Sequence, residues 1–137
     1  MKFLIDENVN TAVVSVLRVT FTEHGFSTVL EQSWSGLEDV PLFKAMVSGQ
    51  FDVLVTRDRD QLRDKSERSA LRDCGLHWMG VTAPRYSGVK GMALETAAIV
   101  AGLPYVLEGL PTHAEPTAFH IRGIPSEPSQ RLKSETL

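Results

Sequence analysis

Residues 51–60 read FDVLVTRDRD (Phe51-Asp52-Val53-Leu54-Val55-Thr56-Arg57-Asp58-Arg59-Asp60), and the fold turns on how this stretch is read. Its apolar part is short, rich in β-branched residues and stopped by a burst of charge, so its length and flanks mark a strand over Phe51–Thr56 rather than a piece of helix. The same grammar recurs upstream, where Lys2–Ile5 is an apolar run that stops at Asp6. Between these two strands, Asn8 or Asn10 is placed to cap a helix whose apolar residues Val13, Val16, Leu17 and Phe21 fall at helical spacing before His24-Gly25 ends it. Phe26–Leu30 reads as a further strand and Ser35-Gly36 as a turn. A helix over about Leu37–Ser48 then faces Leu42, Phe43, Ala45 and Met46 inward, tolerates Pro41 in its first turn and stops at Gly49.

Downstream, residues 60–73 are polar and helix-compatible and close at Cys74-Gly75, His77–Thr82 forms a strand, and a Pro84–Gly88 loop leads to a helix over about Val89–Ala101. Thr117–Ile121 adds an edge strand. Strand and helix alternate throughout, which predicts an α/β fold with a central parallel sheet flanked by helices on both faces. The Ser, Pro, Glu and Lys content from Pro125 onward predicts a disordered tail over 125–137 behind a single domain over 1–124.

Composition sets the limits. A chain of 137 residues that is 42% hydrophobic holds one core and leaves no room for two full domains. The single cysteine, Cys74, excludes an internal disulfide and CxxC or zinc-ribbon chemistry, so a reducing, cytoplasmic setting is expected. MKFLIDEN meets two acids after three apolar residues, too early for a signal-peptide core or a membrane span. The net charge of −3 hides a pattern: residues 1–56 carry three basic and seven acidic side chains, 57–90 eight and five, and 91–137 three and five. A basic middle segment thus sits inside an acidic chain.

In an open parallel sheet, sites form beyond the carboxyl ends of strands, near the point where strand order reverses. Two strands end in acids: one runs into Asp6-Glu7, the other into Asp58 and Asp60. If those strands are neighbours, their carboxylates converge, and several like charges at close range stay ionised only with a cation among them. A hard divalent ion, Mg²⁺ or Mn²⁺, suits oxygen ligands of this kind. Glu38-Asp39 at the head of the intervening helix offers one more acid to the same rim, and the Thr56 hydroxyl is placed to orient a ligand or a water. Such a centre suits phosphodiester hydrolysis, in which the metal activates water and stabilises developing charge. Arg57, Arg59, Arg63 and Lys65, with Arg68 and Arg72 beyond them, follow the acids directly and supply cations for a nucleic-acid backbone.

The residues that carry this reading, FLIDEN, a helix opening with acids, and VLVTRDRD, also carry a resemblance over about residues 1–85. The chain resembles the compact PIN-like domains found among VapC-type toxins and related bacterial PIN-like proteins. The resemblance implies a Rossmann-like parallel sheet, Mg²⁺-dependent endoribonuclease activity, and toxicity restrained by a cognate antitoxin. By position it implies Asp6 as the first-strand aspartate, Asp58 as the aspartate of the TRD motif followed by Asp60, and Glu38 or Asp39 as the helix acid. Typical members add an aspartate further downstream; here that place falls to Asp60 or is vacant, since Asp73 stands at the end of a helix.

Plainer readings compete at several of these residues. Asp6 alone would serve as a helix cap, Glu7 as a partner of the helix dipole, and Asp64 and Glu67 as partners of Arg63 or Arg68 on a salt-bridged surface helix. His24, His77, His113 and His120 have no metal-ligand spacing, Cys74 reads as a small buried hydrophobe, and Trp34 and Trp78 as packing anchors. A different class of function is also compatible with the order of acids: a phosphoacceptor receiver module, matched by Asp6-Glu7, Asp58 and Thr82, but lacking the expected closing lysine and the proline loop. A third is a PIN-like domain that only binds RNA or a partner, with the apolar helix near Met92–Val100 available to a homodimer or an antitoxin.

Overall fold

Phe3-Leu4-Ile5 and Val53-Leu54-Val55 lie side by side as parallel strands, Leu4 opposite Leu54 and Ile5 opposite Val55. Successive side chains of a strand point to opposite faces, so two such runs need cover on both sides. Phe3, Ile5, Val53, Val55, Met79 and Val81 project into a core shared with two helices, α1 (Val13–Thr20) and α5 (Gly88–Gly109). Leu4, Leu54 and Trp78 project into a second core beneath α2 (Asp39–Ser48) and α4 (Lys65–Asp73). Each such buried side chain stabilises the fold by roughly 1.5–3 kcal/mol relative to exposure.

The computed structural model describes residues 1–112 and 115–136, which leaves the expectation for His113 outside the described residues. Its sheet contains β1 (Lys2–Ile5), β2 (Gly25–Thr28), β3 (Val53–Thr56), β4 (His77–Val81) and β5 (Ala118–Ile121) in the order β2-β1-β3-β4-β5, all pairs parallel. The chain leaves β1 for one edge and returns past it to β3. The order therefore reverses between β1 and β3, where an open sheet of this kind leaves a crevice at its carboxyl ends.

Several boundaries differ from the sequence reading. Residues 60–73 form two helices, α3 (Asp60–Arg63) and α4, because Asp64 is extended and its carboxylate accepts the N–H groups of Ser66 and Glu67 at 2.8 and 3.1 Å. Those bonds, that of the Ser66 hydroxyl foremost, hold the Asp64 carboxyl below its ordinary pKa. Asp64 is a helix cap rather than a salt-bridge partner.

Helix α5 runs past Ala101 to Gly109. Gly102 is no stop signal, since a Cβ there would lie 2.6 Å from Cδ1 of Ile121: β5 packs against this point of the helix. Pro104 sits on the exposed face, and Leu103 and Val106 on either side of it are buried and keep the helix on the sheet. By length and composition α5 is apolar enough to cross a membrane, yet Ala98, Ile99, Leu103 and Val106 form a helically spaced stripe inside the core.

On α1, Val16 is 41% exposed and Val14 takes the inward place. Strand β2 spans Gly25–Thr28 instead of running to Leu30, which is exposed. The chain turns here because Glu31 accepts from the Thr28 N–H and the Ser27 hydroxyl. Its carboxyl is held down to about 2, chiefly by the Arg18 guanidinium, then by Thr28 and Ser27. Its contribution is present above the ordinary carboxylate range and is lost as pH falls toward about 2. Within 125–137, α6 (Pro128–Arg131) is a single exposed turn that buries nothing.

Candidate functional site

Asp6 follows β1 directly, Thr56 ends β3, and the pairing of the two strands brings them into contact. The Asp6 N–H donates to the Val55 carbonyl at 2.9 Å. Asp6 Oδ2 accepts from the Thr56 hydroxyl at 2.6 Å and from Asn8 Nδ2 at 2.7 Å, while Oδ1 accepts the Glu7 N–H at 2.8 Å. Thr56 Oγ1 in turn accepts from Asn8 Nδ2 at 2.9 Å and from the Asp58 N–H at 3.0 Å. Asn8 completes the lattice by accepting the Arg57 N–H at 2.9 Å. It ties the two strand ends together rather than capping α1; Asn10 accepts the Ala12 N–H just ahead of that helix.

A buried relay sets the position of the helix acid. Trp78 Nε1 donates at 3.0 Å to Gln61 Oε1, and Gln61 Nε2 donates to Asp39 Oδ1. Trp78 and Gln61 are each 1% exposed, so a core tryptophan anchors a carboxylate at the rim. Of the two acids that open α2, Asp39 is the one whose charge reaches Asp6; Glu38 precedes the helix in extended conformation. Burial pushes the Asp6 carboxyl above its ordinary pKa, against the lowering effect of the Thr56 and Glu7 hydrogen bonds, and the charges of Asp39 and Glu7 push it further up.

Glu67 joins this group. Burial raises its carboxyl as well, followed by the charges of Asp39, Asp64, Asp58 and Asp60. Asp58 Oδ1 accepts the Asp60 N–H at 2.8 Å, which shapes the turn into α3. Asp60 itself is 80% exposed and pairs with Arg63 at 2.9 Å. The acids thus form a rim of Asp6, Asp39, Asp58 and Glu67, with Asp60 outside it. They do not all converge on one small volume: among the described residues no three acidic, His or Cys side chains stand close enough to chelate an ion directly.

The basic residues divide. Arg57 reaches the opposite side of the sheet, 3.6 Å from Glu95 on α5. Arg59 donates to Thr82 Oγ1 at 2.9 Å, and Thr82 donates to the Ile121 carbonyl at 3.0 Å. Lys65 is exposed at the start of α4. Arg68 and Arg72 line a cleft with Leu76, Thr117 and Ala118 at the amino ends of β4 and β5, so the last two arginines of the basic run lie away from the acids. Asp73 is bonded to Ser69 at the end of α4 and is remote from Asp6 for the same reason.

The rim fits a hydrated hard cation. Its donors are carboxylate and hydroxyl oxygens, and the Asp6 and Glu67 carboxyls are destabilised as anions by burial and by neighbouring carboxylates, Asp39 foremost. Three of the roughly four lone-pair positions of the Asp6 carboxylate are taken. One or two carboxylates with several retained waters is the ordinary way of holding Mg²⁺.

Sequence reasoning missed Gln61, Glu67 and Glu95 and misassigned Asn8. Glu95 had a signal, as the one charged residue between Lys90 and Glu108 on an apolar helix. Gln61 had none, because a glutamine in a polar segment looks exposed. Gln61→Leu should lower stability by about 2 kcal/mol by leaving the Trp78 N–H unsatisfied. Chemical denaturation followed by tryptophan fluorescence checks this, and an unchanged midpoint would refute the relay.

An open parallel sheet with buried and rim carboxylates at its switch point defines an α/β domain with an acidic site at the carboxyl ends of its strands. The PIN-like domain family model matches residues 1–83, and the chain belongs to that family. No curated protein and no solved structure matches it. PIN-like domains are commonly nucleases.

Proposed function

We propose that the chain is a metal-dependent endoribonuclease that hydrolyses RNA phosphodiester bonds at the rim between β1 and β3, and that it acts in the cytoplasm as the toxin of a toxin–antitoxin pair. The observation that carries the reading is the Asp6–Thr56–Asn8–Asp58 lattice, which fixes a buried carboxylate of raised pKa at the switch point of a PIN-like fold. Asp6, Asp39, Asp58 and Glu67 are the residues that would hold Mg²⁺ or Mn²⁺, while Asp60 lies outside this rim, paired with Arg63. When bound, the ion supplies Lewis acidity and an activated water. Thr56 and Asn8 keep the Asp6 carboxylate in one orientation. Arg59, Arg63 and Lys65 offer cations to the RNA backbone on the α3–α4 side, and Arg57 does so from the other.

An antitoxin or a second copy of the chain has a surface to use, because Val16 on α1 and Val89 and Met92 on α5 leave an open apolar face. The receiver reading is less well supported, since Thr82 is engaged by Ile121 and Arg59, and Asp58 stands two residues beyond the end of β3.

The test is cleavage of a mixed RNA pool by the purified chain with Mg²⁺, Mn²⁺ or EDTA. Cleavage that needs the ion supports the reading, and cleavage indifferent to EDTA sinks it. Mg²⁺ should also raise the melting temperature by about 3 °C through its preference for the folded state. No shift at millimolar ion would count against the site independently of any substrate.

A further inference from the structure

Strand alternation gives the switch point two sides. The acidic rim faces α2 and α4. On the other side Glu7, Arg57 and the start of α5 border an open cavity of about 350 Å³, and Glu95 lines it. Glu95 is 3% exposed. Its Oε2 accepts the Asn10 N–H at 3.2 Å, but its Oε1 is buried without a hydrogen bond among the described residues. A buried carboxylate oxygen left in that state is costly. Arg57 stands 3.6 Å away, close enough to balance the charge and too far to donate, and its side chain is 37% exposed. What Oε1 lacks is therefore a donor rather than a countercharge.

Two further features bear on what the cavity takes. Helix α5 opens here with Ser87 making no side-chain cap, so the N–H groups of its first turn are open to an anion. Gly88 and Glu95 are seven residues apart on that helix, roughly 10 Å at 1.5 Å per residue. Tyr86, with the Lys90 ammonium 3.6 Å from its ring centroid, supplies an aromatic wall.

We propose that this cavity receives a guanine nucleotide of the RNA, its base edge on Glu95 and its phosphate at the amino end of α5. This rests on the ribonuclease reading and deepens it by naming the base beside the cleaved bond. Guanine presents adjacent N1–H and N2–H donors on one edge, which a carboxylate accepts together. Adenine and cytosine place an acceptor beside their amino group, and uracil flanks its one N–H with two carbonyls, so each turns an acceptor toward the buried oxygen. The base takes the place of the Arg57 guanidinium at Oε1, and Arg57 moves to the phosphodiester. Unpaired RNA bases are commonly read in this way, by stacking on an aromatic ring and by hydrogen bonds along their Watson–Crick edge.

The experiment is calorimetric titration of the intact, metal-free chain with the four nucleoside 5′-monophosphates and with inosine 5′-monophosphate, which keeps N1–H and lacks the amino group. GMP should bind about tenfold or more tightly than AMP, CMP or UMP, with the inosine nucleotide in between. Glu95→Gln should remove the preference. If that variant fails to fold, the GMP and inosine comparison on the unaltered chain still decides. Equal binding of all five, or no binding of GMP, overturns the proposal. Cleavage sites mapped on the RNA pool separate the two claims: cutting without regard to guanine refutes the pocket and spares the nuclease, whereas Glu95-dependent GMP binding without any cleavage does the reverse.

Discussion

Asp6→Asn is expected to cost RNA cleavage about 10³-fold while leaving stability at pH 7 within about 1 kcal/mol of the parent. The Asp6 carboxyl is pushed above its ordinary pKa, first by burial and then by Asp39 and Glu7. A folded state that holds its proton more tightly than the unfolded chain loses stability as pH rises from the ordinary carboxylate value through the raised one. Asp6 therefore opposes folding wherever it is ionised. Asparagine removes that opposition but turns an amide NH2, which cannot accept, toward at least one of the donors that the carboxylate satisfies, so the two effects offset each other at pH 7. Thermal unfolding at pH 3.5 and pH 7 reads this out: the stability of the variant relative to the parent should be higher at pH 7 than at pH 3.5. Added Mg²⁺ should raise the melting temperature of the unaltered chain only. An asparagine variant that cleaves within tenfold of the parent would show that Asp6 holds no ion.

Gly80→Ala should lower stability by about 3 kcal/mol, a large effect for one methyl group. Gly80 lies on β4 opposite Thr56 and two residues after Trp78, on the same face of the sheet. A Cβ there would fall 1.9 Å from Cη2 of Trp78, so the indole lies across the glycine where any side chain would stand. Moving the ring also disturbs its bond to Gln61 and hence the hold on Asp39. A loss of about tenfold in cleavage is expected beside the stability loss. Urea denaturation and a cleavage assay on the same preparation check both, and an alanine variant of parental stability would mean that the tryptophan has another place to go.

Part of this was open to reading from residues alone. FLI and VLV show as strands because both of their faces are covered, and the acids just beyond them mark strand ends whether or not the partner strand is known. That Asp6 and Thr56 touch could be guessed, because an α/β sheet has few places to put its second and third acids. The relay from Trp78 through Gln61 to Asp39 could not be guessed. It joins residues from three elements through two hydrogen bonds, and no periodicity records such a link. Asp60 shows the opposite failure: in sequence it belongs with Asp58, but one turn of α3 carries its carboxylate outward to Arg63. Helix α5 outruns its expected end at Ala101 although Pro104 lowers its helix propensity, because Leu103 and Val106 on either side of the proline are buried against the sheet.

The place of β1 bears on how such a chain is made. Strand β1 is synthesised before either of its neighbours, yet it is hemmed in by β2 on one side and β3 on the other. Its Asp6 meets Thr56 across 50 positions of chain. A nascent or broken polypeptide that stops short of β3 has an aspartate but no lattice to hold it. On the proposed nuclease reading a fragment ending before β3 is inactive, and cleavage begins only once β1 and β3 have paired through residue 56.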